Sequence, residues 1–339
     1  MSKNFTINNI INLKIGKLIM AEKKQSLLAL LEILKKYSDE NHPLSIKDIQ
    51  TYLLNEYDIE LDRRTLYTSM ETLRDFGYEI SEYDGNGYYL MERQFEKAEI
   101  LLLCNAIHAS HFISSKQSDD LIKKLLNTQS KYDQKDFKDK VYMANPLKTS
   151  NKQLLFNIEV VSQAIKENRN ISFSYLKYDM KKQLVERRPE PYKVEPRYIV
   201  YSDSRPYLIV TSLNHEDFIH YRLDRMKEVK ILNEKSRVLP KSSDPYEYAR
   251  NKLFMYTGDI QVMTFKCKNI ILDHMIDIFG PDLLLMPNKD DTFTIKVKTS
   301  IQGALYLAGQ FMENITIIEP ENAKEEFIKI LKQAQKRYK

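Results

Sequence analysis

Tyr221-Arg222-Leu223-Asp224-Arg225-Met226, read with Arg205-Pro206-Tyr207-Leu208 upstream, is the stretch whose reading decides how the middle of this chain is built. It places two guanidinium groups three residues apart, around a carboxylate, in a strand-like context. Period-two alternation puts Arg222 and Asp224 on one face and Leu223 and Arg225 on the other. The upstream segment leaves a turn and enters the apolar run Leu208-Ile209-Val210. Arg222 carries a planar fork that matches phosphate oxygens two at a time, and Asp224 is placed to orient it. Tyr175 and Tyr207 offer faces on which bases stack, and Arg187, Arg188 and Arg197 extend the positive groove. Arginines interleaved with tyrosines are what a site for a short single-stranded nucleic acid or a nucleotide requires. The structural alternative is an internal Asp224–Arg225 ion pair at a sheet corner, with Tyr207 in the core.

Charge is distributed in keeping with an anionic partner there. The net charge is +5 over 339 residues. Residues 1–93 carry −3, residues 94–164 carry +2, residues 165–241 carry +6, and the remainder is balanced. The basic excess therefore surrounds the two segments quoted above. With 42% hydrophobic and 29% charged residues the composition is that of a soluble globular chain, long enough for two or three domains. No apolar run is long enough to span a bilayer, so no membrane partner is expected. Two cysteines, Cys104 and Cys267, suit a reduced cytoplasmic setting without disulfides. Residues 1–21 read as an arm and lack the pattern of a signal peptide.

Working outward, Leu27, Leu28, Leu30, Leu31 and Leu34 have helical spacing. Ser45 precedes a second helix with Asp48 three residues on, an N-cap signature. Asp62 caps a third helix, Arg63 to Phe76, that ends at Gly77, with Leu66, Met70, Leu73 and Phe76 along its apolar stripe. Tyr78–Ser81 and Gly87–Leu90 flank Asp84-Gly85-Asn86, a strong hairpin signal. Three helices and a hairpin make a winged helix-turn-helix over residues 22–93. Residues 94–153 read as a helical connector, with helices over 95–112 and 119–130. A helix over 154–167 leads into six short strands, a small, strongly bent sheet or partial barrel ending near residue 240. Residues 258–339 alternate in βαββαβ order followed by a long helix, which resembles a ferredoxin-like domain.

In a winged helix the third helix enters the major groove with its N-terminal residues toward the base edges. Arg63, Arg64, Thr65, Tyr67, Thr68 and Ser69 lie opposite the apolar stripe and form the expected reading face for duplex DNA. Arginine is the commonest base reader because it donates twice to guanine O6 and N7. Asn86 and Tyr88 at the wing are expected to reach a minor groove or a phosphate. Against this stands the negative charge of residues 1–93, which would suit a winged helix used for protein contact.

The quoted segments resemble the paired signatures of WYL-domain transcriptional regulators, in which a Trp-Tyr-Leu strand precedes a Phe/Tyr-Arg-Leu-Asp-Arg-Ile/Met segment. Here Pro206 stands in the place of the Trp, which removes one aromatic wall. Tyr207 matches the Tyr of the signature, Arg222, Asp224 and Arg225 match the arginine-rich run, Tyr175 matches an aromatic of the first strand, and Pro196 opens the Pro196-Arg197-Tyr198-Ile199-Val200 strand. The resemblance implies an α+β multidomain chain: a winged helix-turn-helix, a helical connector, an Sm-like small β-barrel WYL domain that senses a ligand (154–240), and a C-terminal extension used for dimerisation (258–339).

Resemblance and charge together predict a ligand-responsive DNA-binding regulator, a cytoplasmic homodimeric repressor. It would bind operator duplex through the winged helix and a nucleic-acid or nucleotide effector through the WYL domain. Two alternatives stay open: a nucleic-acid-binding accessory protein of a defence system, and a hydrolase acting on the bound strand. No Walker loop, dinucleotide fingerprint, nucleophile elbow or HExxH motif occurs, so neither enzyme activity nor a cofactor is expected. Cys104, His108 and His111 share a helix face at metal-ligand spacing, but without a fourth ligand they read as packing, and no metal is expected.

Overall fold

The computed structural model describes residues 24–82, 87–138, 148–202, 204–213, 218–238, 252–256, 258 and 260–338. The chain divides into two compact units, residues 1–148 and 149–339. The expected arm over 1–21, Asn86 and the wing tip around it lie outside the described residues. The described residues form a mixture of helices and three antiparallel sheets.

In the first unit, helix α1 spans residues 24–37, α2 Ile46–Tyr57 and α3 Arg63–Asp75, and strands β1 Ile80–Glu82 and β2 Tyr88–Leu90 follow. Helices α2 and α3 start where side chains supply acceptors for orphan N–H groups. Ser45 Oγ accepts from Asp48 N at 3.2 Å and Asp48 Oδ2 accepts from Ser45 N at 3.0 Å, a reciprocal capping box. Asp62 Oδ1 accepts from Arg64 N and Thr65 N at 2.8 and 3.0 Å. Leu66, Met70 and Leu73 of α3 pack with Leu30, Ile33 and Leu34 of α1 and Ile49 and Leu53 of α2 in one core. Phe76 does not belong to this stripe and is 83% exposed, because α3 ends one residue earlier and the chain turns at Gly77 (φ 98°).

The β1–β2 pair gains a third edge from Leu44, whose backbone exchanges hydrogen bonds with Tyr88 at 2.9 and 2.8 Å. A Cβ on Gly87 would lie 2.8 Å from the Leu44 carbonyl, so only glycine fits this approach. Among the described residues of 94–153 there are three helices where two are expected: α4 Lys97–Ala109, α5 Ser115–Leu126 and α6 Lys131–Lys138. Ser114 caps α5, starting it earlier than the apolar pattern indicates. Arg93, largely buried, donates to the carbonyls of Lys35, Ser38 and Thr128 and so ties α1 to the connector.

The second unit opens with α7 Leu154–Lys166, then β3 Arg169–Tyr178, β4 Leu184–Glu186, β5 Tyr192–Ser202, β6 Arg205–Ser212, β7 Phe218–Arg222 and β8 Met226–Lys235. The strand order is β4-β3-β5-β6-β7, with β8 on the other side of β3. Bulges interrupt the β3–β8 and β5–β6 ladders and bend the strands. Leu154, Val161 and Ala164 of α7 are fully buried, as are Ile171, Leu208, Ile209, Val210 and Leu223 of the sheet region.

The remaining elements are β9 Ile260–Lys268, α8 Leu272–Phe279, β10 Leu285–Pro287, β11 Thr292–Ser300, α9 Ile301–Gln310, β12 Ile315–Glu319 and α10 Glu321–Arg337. The sheet order is β10-β11-β9-β12. Met263, Phe265 and Cys267 of β9, Phe293 and Ile295 of β11, and Ile315 and Ile317 of β12 point to one side. There they pack with Met275 of α8, Leu307 of α9 and Phe327 of α10. All three helices thus cover the same face of this sheet.

Among the described residues no helix is long and apolar enough to cross a membrane, and no group of histidines, cysteines and carboxylates could hold a metal ion.

Candidate functional site

The segment Leu223–Arg225 is not strand but a single 3-10 turn between β7 and β8. Alternation does not apply within it, yet Arg222 and Asp224 still meet. Arg222 Nε donates to Asp224 Oδ1 at 3.0 Å and Nη2 to Oδ2 at 2.7 Å, a side-on bidentate pair. Asp224 is 2% exposed. Its partner is therefore Arg222, not Arg225, whose guanidinium lies 4.2 Å from the Tyr178 ring centre. The pairing occupies the Nε–Nη2 edge of Arg222 and fixes the plane of the fork, leaving the Nη1–Nη2 edge outside the pair. Burial alone would lower the Arg222 pKa, but the hydrogen bonds and charge of Asp224 outweigh it and the net direction is upward.

The turn is gripped from α7 and the segment before it. Asn151 Nδ2 donates to the carbonyls of Asp224 and Met226 at 2.8 and 3.1 Å. Asn157 Nδ2 donates to those of Leu223 and Met226 at 3.3 and 2.9 Å.

Beside the turn the sheet brings together a cluster that the sequence shows only in fragments. Tyr175 accepts a hydrogen bond from Arg222 N at its hydroxyl, 3.1 Å away. Its ring meets those of Tyr221 and Tyr192 edge-on, at 5.1 and 6.1 Å. Phe173 stacks on Tyr192 at 5.5 Å and 7°, and Tyr221 meets Tyr192 edge-on at 5.4 Å. Over Tyr192, at 3.6 Å from its ring centre, sits the guanidinium of Arg188, which also donates to the Glu190 and Pro191 carbonyls. Tyr175, Tyr192 and Tyr221 are half-buried, and Arg187 and Arg188 are exposed. Burial pushes the Tyr175 and Tyr221 phenols up, so both remain neutral.

Two expected effector residues do not belong to this cluster. Tyr207 is 7% exposed and its ring packs edge-on against His220, a core position rather than a stacking platform. Arg197 is 8% exposed, within the buried run Val194–Arg197. Its Nη2 pairs with Glu195 at 2.9 Å, Nε and Nη2 donate to Thr211 Oγ1, and Nη1 donates to the Arg237 carbonyl. It extends no groove. Conversely, Phe173, Tyr192 and Tyr221 were not expected as site residues. Tyr221 stands in the opening motif, but grouping it with Tyr192 needs the strand register.

At the reading face Arg63, Arg64 and Thr68 are exposed and Tyr67 is 37% exposed. Arg63 Nε donates to Tyr67 Oη at 3.1 Å, one helical turn on, which orders the pair. Thr65 is committed to the cap, its hydroxyl donating to Asp62 Oδ2 at 2.6 Å. Ser69 is half-buried. Tyr88 is 8% exposed and packed edge-on against Tyr67. The Leu44 edge turns it into core, so it packs against α3 through Tyr67 and does not reach outward as expected.

Residues 157–231 match the family model described as the WYL domain. A comparison with curated proteins found no match. Among solved structures the chain is similar to proteasome accessory factor B/C (PafBC) of Arthrobacter aurescens, at 13% identity over 89% of this chain and 47% of that one, with a TM-score of 0.27. It thus spans about half the length of that protein. It is also similar to a CRISPR Cas-related protein, at 15% identity over 93% of this chain and 85% of that one, with a TM-score of 0.39. At these scores neither likeness bears on function. The matched span runs from α7 into β8 and contains the clamped Arg222–Asp224 turn and the aromatic cluster with Arg188, and on that ground this chain is a WYL-domain-containing protein.

Proposed function

We propose that this protein is a ligand-responsive, DNA-binding transcriptional regulator, acting in the cytoplasm as a homodimeric repressor. A winged helix over residues 22–93 reads operator duplex through Arg63, Arg64, Tyr67 and Thr68. A connector follows over 94–153, then a small Sm-like barrel over 154–240 that binds a short single strand or a nucleotide. A ferredoxin-like domain over 258–339 completes the chain and aids dimerisation. The observation that carries this reading is the half-buried tyrosine cluster flanked by Arg188 and Arg222 in the most basic part of the chain. Bases stack on Tyr192 and Tyr221, and a phosphate takes the Nη1–Nη2 edge of Arg222. Stacking and phosphate pairing are binding chemistry. The reading accordingly includes no turnover of the bound strand.

The effector regulates only if it binds one state of the regulator better than the other. The test is a gel-shift titration of the duplex upstream of the protein's own gene, at two salt concentrations, with and without short single strands. The expected result is specific duplex binding that a single strand alters, with that response lost in Arg188→Ala and Arg222→Ala and duplex binding retained. Duplex binding and single-strand response that both survive these substitutions would refute the assigned site. Cleavage of the added strand would make the protein a hydrolase instead.

A further inference from the structure

A cleft of about 300 Å3 opens in the first unit where the turn after α1, the end of β2, the start of α4 and the start of α6 come together. That is the lower end of the range for small-molecule sites and about ten times the space one water takes in the liquid. Two acceptors that line it are left open. Gln129 is 1% exposed and Asp133 5% exposed. Gln129 donates from Nε2 to the Phe95 carbonyl at 3.0 Å, yet its Oε1 has no donor among the described residues. Turning the amide over would set an oxygen against that carbonyl, so the orientation is fixed. Asp133 Oδ1 pairs with Lys97 Nζ at 2.7 Å, and Oδ2 has no donor among the described residues. A buried oxygen without a donor costs free energy, and nearly all such oxygens in folded proteins find one. Gln129 also lines a larger neighbouring cleft of about 780 Å3, whereas Asp133 does not, so the two open acceptors meet in the smaller one.

The lining is acidic. Asp39, Glu40, Glu96 and Asp133 stand against Arg93 and Lys97. Asp39 is fully engaged, Oδ1 by His42 Nδ1 and Asn41 N and Oδ2 by Ser130 Oγ. Even with His42 protonated on Asp39, the carboxylates outnumber the cations. The Arg93 guanidinium is committed to main-chain carbonyls and the Lys97 ammonium to Asp133 Oδ1. Tyr89 and Phe95 give the cleft an aromatic wall.

We propose that this cleft binds a small organic cation carrying two or more N–H donors. Its N–H groups donate to Gln129 Oε1 and Asp133 Oδ2, and its apolar part lies against Tyr89 and Phe95. The site belongs to the first unit and does not depend on the tyrosine cluster of the WYL domain. Two kinds of selectivity follow. A neutral ligand of the same shape loses the attraction of the excess carboxylate and binds more weakly. Removing either open acceptor removes a hydrogen bond made to a charged group, which is worth about a ten-fold change in affinity or more.

The test is titration of the full chain, carbon-13 labelled at its methionine methyl groups, with benzamidine, benzylamine and the neutral benzamide. Met91 lines the cleft, is 54% exposed and reports on it, its signal being assigned with Met91→Leu. Benzamidine and benzylamine should shift the Met91 signal saturably, with a dissociation constant of about 1 mM or tighter, as ligands this small reach when their atoms are well met. Benzamide should bind about ten-fold more weakly or worse. These three probes are compared on the unaltered chain, so the outcome does not rest on a variant folding. Gln129→Met and Asp133→Asn should each weaken benzamidine by about ten-fold or more, while Asp120→Asn at an exposed position of α5 leaves it unchanged. No Met91 shift with either cation overturns the proposal and leaves the cleft to water. Benzamide binding as tightly as benzamidine overturns it too, as does a loss in the Gln129 and Asp133 variants no larger than in Asp120→Asn.

Discussion

Replacing Glu195 by Gln tests whether the network holding Arg197 is structural. Glu195 is 1% exposed. It accepts from the backbone N–H and Nε of Arg237, each at 2.9 Å, from Arg237 Nη2 at 2.9 Å, from Thr211 Oγ1 at 2.6 Å and from Arg197 Nη2 at 2.9 Å. Burial by itself would raise its pKa. The Arg237 and Thr211 hydrogen bonds and the Arg197 charge outweigh burial and draw it down from 4.5 to about 2. A folded pKa below the unfolded one means stability that is fully present above about 4.5 and is lost as pH falls toward about 2. The linkage amounts to about 3 kcal/mol at pH 7, since each pH unit between the two values counts for about 1.4 kcal/mol. At pH 3 about half of it is left. Urea unfolding of wild type and Glu195→Gln, followed by circular dichroism at pH 7, 5 and 3, measures the difference. It should be the same at pH 7 and 5 and fall by about half or a little more at pH 3. A difference that does not change over that range would refute the claim that the carboxylate is held ionised by its guanidinium partners.

Other expectations follow from the same structure. Arg197→Ala should destabilise the second unit by about 3 kcal/mol, the low end for a broken buried pair because Glu195 keeps Arg237, whereas Arg188→Ala should leave the urea midpoint unchanged and weaken single-strand binding. Tyr192→Ala should cost about 1–3 kcal/mol of single-strand affinity by titration calorimetry, with little effect on duplex binding. Arg63→Ala or Arg64→Ala should each remove about 1–3 kcal/mol of discrimination at one operator position in a gel shift with substituted sites. Both cysteines are fully buried and burial pushes the Cys267 thiol up to about 12, so neither should react with a thiol reagent at pH 8 until urea unfolds the chain. Rapid labelling of the native protein would contradict the packing.

Local chemistry made much of the fold legible. The Ser45–Asp48 box, the Asp62 cap and the turn at Gly77 each depend on residues within a few positions of one another. The strand count after α7 and the βαββαβ order of the last segment follow from short-range alternation. What failed depended on pairings distant in sequence. Tyr88 reads as a wing residue until Leu44 is found alongside it. Arg197 reads as groove because alternation separates two faces without saying that both are covered, and here Glu195, Thr211 and Arg237 close over it. The opening motif read correctly as an Arg222–Asp224 partnership but for the wrong reason, since a 3-10 turn and not a strand brings them together. Tyr192 and Tyr221 carry no signal of their own, because only the β3–β5 and β6–β7 registers assemble them around Phe173.

Asn151 and Asn157 hold the turn by main-chain carbonyls of residues 223, 224 and 226 and by no side chain of the turn. The shape of the turn and the chemistry displayed on it are therefore written by different residues. Position 225, whose side chain makes no bond to the turn's carboxylate, is open to exchange of charge, length or aromaticity while the backbone beneath it stays in place, whereas Arg222 is tied to the buried Asp224. Such a site can change what it recognises by a substitution there without rebuilding its scaffold. The asparagines, which touch no ligand in this reading, are the residues whose loss would close off that freedom.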